Sequence, residues 1–160
     1  MKLVLTFAAV VILTVVSPGL LLAQSNTEIG TWKLNVAQSK YSPGPLPKSE
    51  TRTYEAQGDS LRMSRDGVAG DGSKIAYTST TSEDGKDVQI SGVGIPNGAD
   101  TISNTRVDAN TVSYTMKRAG KVVQTGTVVV SKDGKFMTIT SRGTNPQGQP
   151  TSNTSVWDKQ

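Results

Sequence analysis

Thr51-Arg52-Thr53-Tyr54-Glu55-Ala56-Gln57-Gly58-Asp59-Ser60-Leu61-Arg62-Met63-Ser64 is the stretch that decides the fold. Arg52, Tyr54 and Ala56 alternate with Thr51, Thr53 and Glu55, and Leu61 and Met63 then alternate with Arg62 and Ser64. A period of two sends successive side chains to opposite faces of a strand. Gln57-Gly58-Asp59 between the halves is turn chemistry, so the stretch reads as a β-hairpin.

The same pattern continues toward the C-terminus. Asp71-Gly72, Glu83-Asp84-Gly85, Asp108-Ala109-Asn110, Ala119-Gly120, Lys132-Asp133-Gly134 and Asn145-Pro146-Gln147-Gly148 punctuate short segments in which Ile75/Tyr77, Val88/Ile90, Val112/Tyr114/Met116 and Val156 take the apolar phases. Lys121–Ser131, with five valines, is the strongest β segment and is expected to be covered on both faces. Gly92–Asp100 breaks the rhythm, since its glycines and proline suit neither a central strand nor a helix. Short sequential connections predict an all-β, single antiparallel up-and-down meander of about nine or ten strands, which avoids exposed edges by closing into a barrel. A two-sheet β-sandwich is the alternative arrangement of the same strands.

Toward the N-terminus, Gly30-Thr31-Trp32-Lys33-Leu34 opens the first strand, with Trp32 and Leu34 on one face as the base of a core. Asn35 to Tyr41 reads as a brief helical turn or lid capped by Asn35. Pro43, Pro45 and Pro47 make Ser42–Pro47 a rigid extended loop. Before this lie Lys2, an uncharged run over Leu3–Val16, the break Ser17-Pro18-Gly19, and Leu21-Leu22-Ala23. That is the layout of a secretory signal peptide cleaved after Ala23, and its apolar run is shorter than the roughly 20 residues that span a bilayer. The expected organisation is therefore a leader over 1–23, a flexible segment over 24–29 and one domain over 30–160, exported to the periplasm or beyond the cell, with no integral membrane association after cleavage.

Composition narrows the chemistry. There is no cysteine, so no disulfide holds the exported domain together, and no histidine, which removes the usual proton shuttle and the commonest transition-metal ligand. The leader takes Lys2 with it and leaves 16 basic against 13 acidic residues, spread singly rather than in a stripe. Nucleic-acid binding is not expected. The aspartates sit at turns, where a short carboxylate bonds its own backbone. Asp66–Gly72 lacks the ligand spacing of a calcium loop. No Gly-x-Ser-x-Gly is present. The expectation is a protein that is not an enzyme and carries no metal or cofactor.

The Gly-x-Trp at Gly30–Trp32, the lid-like segment after it, the strand meander and the aromatic Trp157 near the C-terminus resemble the calycin superfamily of lipocalins and fatty-acid-binding proteins. The chain is more similar still to an uncharacterised group of secreted bacterial lipocalin-like proteins that begin Gly-Thr-Trp-Lys-Leu-Asn, here Gly30–Asn35, and contain Ser-Pro-Gly-Pro, here Ser42–Pro45. The resemblance implies a barrel closed by Trp32, Leu34 and Trp157 and an interior that takes a small apolar ligand. The closing strand Asn153–Asp158 lacks the Arg-x-Tyr with which fatty-acid-binding proteins grip a carboxylate. Arg142 is the nearest candidate for the basic residue that lipocalins place over the N-terminal tryptophan.

Arg52, Tyr54, Met63, Tyr77, Arg106, Tyr114 and Met116 are the candidate ligand-binding residues. An arginine turned into a barrel demands an anionic ligand or a buried carboxylate, while one turned outward covers apolar surface with its stem. Tyrosines and methionines on apolar phases either line a pocket or fill a core. Two functions follow: a binding barrel for a small lipophilic molecule, entered beside the 42–47 and 92–100 loops, or a structural or interaction module with a filled core.

Overall fold

The computed structural model describes residues 26–160; the expected leader lies outside the described residues. Among them eleven strands follow in chain order: β1 (Gly30–Ser42), β2 (Ser49–Gln57), β3 (Ser60–Val68), β4 (Lys74–Thr81), β5 (Val88–Gln89), β6 (Ser91–Val93), β7 (Thr101–Arg106), β8 (Thr111–Arg118), β9 (Lys121–Val130), β10 (Phe136–Thr144) and β11 (Pro150–Lys159). Every pairing is antiparallel, β1 to β4 and β7 to β11 pair in sequence, and β11 returns to β1. The result is a meander curled into a nearly complete barrel, not two packed sheets.

The sheet order begins with β5 and ends with β6. Ile90 alone separates these two strands in sequence, so the chain itself crosses the seam, pairing with β7 before the crossing and with β4 after it. Gly92 makes the crossing feasible. Its φ is +135°, and a Cβ there would stand 2.1 Å from the Ala76 carbonyl oxygen and 2.5 Å from Tyr77 Cα. The Asp84–Thr105 bridge and the bond from Asn104 Nδ2 to Thr81 Oγ1 (3.1 Å) hold the rest of the seam.

The inward phase of the strands supplies the core. Trp32, Trp157 and Met137 are fully buried, and Leu34 is buried beside them. Each such side chain contributes on the order of 1.5–3 kcal/mol by leaving water. The indole N–H groups are satisfied locally: Trp32 Nε1 donates to the Glu28 carbonyl (2.8 Å) and Trp157 Nε1 to Ser155 Oγ (2.9 Å).

Three expectations change. The segment 35–41 is neither helix nor lid but a bulge in β1: Asn35 pairs with Val156 and Lys40 already pairs with Thr154. Asn35 Oδ1 does accept the Gln38 N–H (3.1 Å), so the capping chemistry is present while strand pairing on both sides overrides a helix. Lys121–Ser131 is not covered on both faces, because Val122 and Val129 point outward from a sheet that is one layer thick. The strands number eleven because β6 adds a short piece after the seam. Of the segment 24–29, residues 26–29 are described, and Glu28 is buried.

Candidate functional site

On the β2–β3 hairpin the period of two turns Glu50, Arg52 and Tyr54 inward, facing Met63 and Arg65. Arg52 and Arg65 are directly opposite, and Glu50 is diagonal to Arg65. Glu50 accepts from the Arg65 guanidinium in a buried ion pair whose side chains are 0% and 8% exposed, and Arg65 also donates to the Tyr77 hydroxyl. Burial alone would lower the Arg65 pKa, but Tyr77 and Glu50 raise it further, so the guanidinium is a permanent cation. Burial pushes the Tyr77 phenol up to about 12, against the opposing charges of Arg65 and Arg52.

Arg52 is held differently. Its Nη1 donates to the Tyr54 hydroxyl (3.0 Å), and its guanidinium carbon lies 4.8 Å from the centre of the Trp157 ring. Its buried Nε has no protein acceptor, and among the described residues it forms no ion pair with a carboxylate. One of the two inward arginines is therefore balanced and the other is not.

The rim of the barrel carries a chain of amides and phenols. A bulge in β9 at Val123 turns both Val123 and Gln124 inward, since Met116 pairs with Gln124 and Lys117 with Val122. Gln124 Nε2 donates to the Tyr114 hydroxyl (3.1 Å), and Asn97, on the 3-10 turn Pro96–Gly98, donates through Nδ2 to Gln124 Oε1 (3.0 Å). Burial raises the Tyr114 phenol pKa. Gly126 faces Tyr114 across the ladder, where a Cβ would come within 2.7 Å of the phenol oxygen.

Two spaces meet at Arg52. The deep one is about 50 Å³, among Tyr54, Met63, Tyr77, Ile102, Met116 and Val128. The outer one is an open cup of about 400 Å³ that has Arg52, Arg65, Tyr114 and Gln124 in its wall together with the proline loop and Gly94–Asn97. A third cavity, about 550 Å³, opens at the opposite end beside Ile29, Leu61, Glu83 and Arg106.

Of the sequence candidates, Arg52, Tyr54, Met63, Tyr77, Tyr114 and Met116 come together around the deep space. Arg106 does not join them: its guanidinium lies at the other end, 2.7 Å from Glu28 and 2.6 Å from Glu83. Its ligand is a pair of the protein's own carboxylates. Arg142 is exposed, and the cation over the Trp32 ring is Lys159, with Nζ 5.0 Å from its centre. Glu50, Arg65, Gln124 and Asn97 are additional. Glu50 and Arg65 extend the alternation of the opening hairpin, whereas Gln124 depends on a bulge and Asn97 on an irregular turn.

Among the described residues no group of three or more His, Cys, Asp or Glu side chains is placed to hold a metal ion. No protein-family profile matches the chain, and no curated protein matches it in sequence. Solved structures do match in shape. The zebrafish ileal bile acid-binding protein complexed with cholic acid superposes at a TM-score of 0.52 with 12% identity, over 84% of this chain and 99% of that one. Rv2717c from M. tuberculosis superposes at 0.50 with 10% identity, over 84% and 93%. The fold is a calycin-like barrel. At these identities the likeness is one of fold. In this calycin-like barrel the strand-phase tyrosines and methionines face inward, and the open cup lies at the end bearing the proline loop.

Proposed function

We propose that the protein is an exported, non-enzymatic binding protein that carries a small lipophilic molecule in the open end of its barrel. The observation that supports this reading is the 400 Å³ cup, within the range of about 300–1,000 Å³ typical of small-molecule sites. It is walled by Tyr41, Ile75, Ile95, Tyr114 and Ile139 as well as by polar groups. The bile acid-binding protein offers a precedent for such use of the fold. The leader over 1–23 supports export, and the Gly30–Asn35 and Ser42–Pro45 motifs support a place among secreted bacterial lipocalin-like proteins.

The deep space favours a second reading. A volume of about 50 Å³ holds a few waters at most, so that half of the barrel is an ordinary packed core. A module acting through its outer surface would look the same there. Expression of the full chain with its own leader in a Gram-negative host, native purification and native mass spectrometry separates the two. A stoichiometric lipophilic adduct released on unfolding supports the carrier. A bare mass that no apolar probe shifts rejects it and leaves the surface module.

A further inference from the structure

Resting on the binding reading above, we infer that the cup selects a compact anion, whose acidic group is received by the guanidinium of Arg52. Arg52 and Arg65 face each other on adjacent strands, inside the barrel, with one carboxylate between them. Like charges directly opposite on a ladder repel. Glu50 accepts from Arg65 through Oε1 while its Oε2 has no partner, and the second acceptor for Arg65 is the Tyr77 hydroxyl. Arg52 is left with a phenol and an indole face, and neither carries a negative charge. A guanidinium half withdrawn from water without a counter-charge is costly, and an anion that supplies two oxygens to it recovers that cost through charge-assisted bonds.

Geometry sets the direction of entry and the size. Arg52, Arg65, Pro96, Tyr114 and Gln124 border both spaces and form the boundary at which the cup stops and the filled interior begins; of these five, Arg52 is the cation without a carboxylate. A ligand entering past the proline loop meets Arg52 with its leading end. Beyond that point there is no volume for an alkyl chain, so the rest of the molecule must lie in the cup itself, against Tyr41, Ile75, Ile95, Tyr114 and Ile139. The class is therefore a compact organic acid rather than a long-chain fatty acid.

The test uses a matched pair of fluorescent probes, 1-anilinonaphthalene-8-sulfonate and its neutral parent N-phenyl-1-naphthylamine, titrated into the full-length wild type, Arg52→Gln and Arg52→Lys. The wild type should bind the sulfonate about tenfold to a hundredfold more tightly than the parent. Arg52→Gln should bring the ratio near one, and Arg52→Lys should restore part of the preference while losing paired bonding. Bound sulfonate should quench tryptophan emission, and the weaker binding in Arg52→Gln should weaken that quenching in step, which ties the signal to the cup. Equal affinity for both probes in the wild type, or a preference unchanged in Arg52→Gln, overturns the inference and leaves a carrier of neutral molecules. Binding of neither probe overturns the inference and the carrier reading together. Palmitate displacing the sulfonate more strongly than benzoate would overturn the size argument.

Discussion

Arg52 and Arg65 stand directly opposite one another across the β2–β3 ladder, both turned into the barrel, and only Arg65 has a carboxylate. Glu50 therefore neutralises half of a like-charge pair. Glu50→Gln should destabilise the fold by about 3–5 kcal/mol, the usual cost of leaving one buried charge of a pair unbalanced. Glu50→Gln combined with Arg65→Met should recover most of that loss, because the double variant removes the orphaned charge. Urea unfolding midpoints at neutral pH read both. A single-variant loss no larger than the roughly 0–1 kcal/mol of a surface pair would show that Glu50 does not carry this burden.

Gly92 is the backbone hinge of the seam. A methyl group there collides with the Ala76 carbonyl and with Tyr77 Cα while forcing a non-glycine residue to φ +135°. Gly92→Ala should cost at least about 1–3 kcal/mol from steric and conformational strain. The loss should be local before it is global. Amide exchange should accelerate first over 76–78 and 91–93, the pairs of β4 and β6, while β10 and β11 keep their protection. Uniform acceleration across the barrel would mean that the seam is not a separate unit.

Much of the barrel and of the lining of the deep space follows from alternation, but of the cup only Arg52 and Tyr114 do. The hairpin 51–64 placed Arg52, Tyr54 and Met63 on one face, and the same count extended by one step in each direction reaches Glu50 and Arg65. Tyr77, Tyr114 and Met116 followed from their strands in the same way. What alternation could not reach depends on departures from it. Gln124 turns inward because the β9 bulge shifts its phase by one residue. Asn35–Tyr41 reads as a helical turn because a bulge and a capped turn use the same local hydrogen bonds, and only pairing with β11 distinguishes them. Arg106 cannot be placed by alternation, since its partners, Glu28 and Glu83, lie 78 and 23 positions away and meet it only once the barrel closes.

The two inward phenols with raised pKa values make alkaline titration informative. Tyr77, shielded by burial, ionises at about 12 rather than near the ordinary phenol value of 10, and Tyr114 is shifted in the same direction. A phenol whose folded pKa is raised contributes stability that is fully present below about pH 10 and is lost as pH rises through about 12. Absorbance at 295 nm should show a late phase in the native protein that is absent in urea and reduced in Tyr77→Phe. A single native transition near pH 10 would contradict the buried environment of Tyr77.

Glu28 provides a test at the other end of the barrel. Burial raises its carboxyl pKa; Arg106 opposes that shift, and the nearby Glu83 reinforces it. Both carboxylates share one guanidinium, so protonation of Glu28 relieves their repulsion while Arg106 keeps Glu83. The native state thus binds a proton here that the unfolded chain releases, and stability from this group falls as pH rises from the unfolded pKa through the raised folded value. Relative to Glu28→Gln, which fixes a neutral side chain, the wild type should gain stability as pH falls from 7 toward the ordinary glutamate value of 4.5 and gain nothing further below it. Thermal midpoints of the two proteins across that range check the sign. A wild type that loses ground to Glu28→Gln on acidification would instead mean that the Glu28–Arg106 pair outweighs burial and that the N-terminal segment is held chiefly by charge.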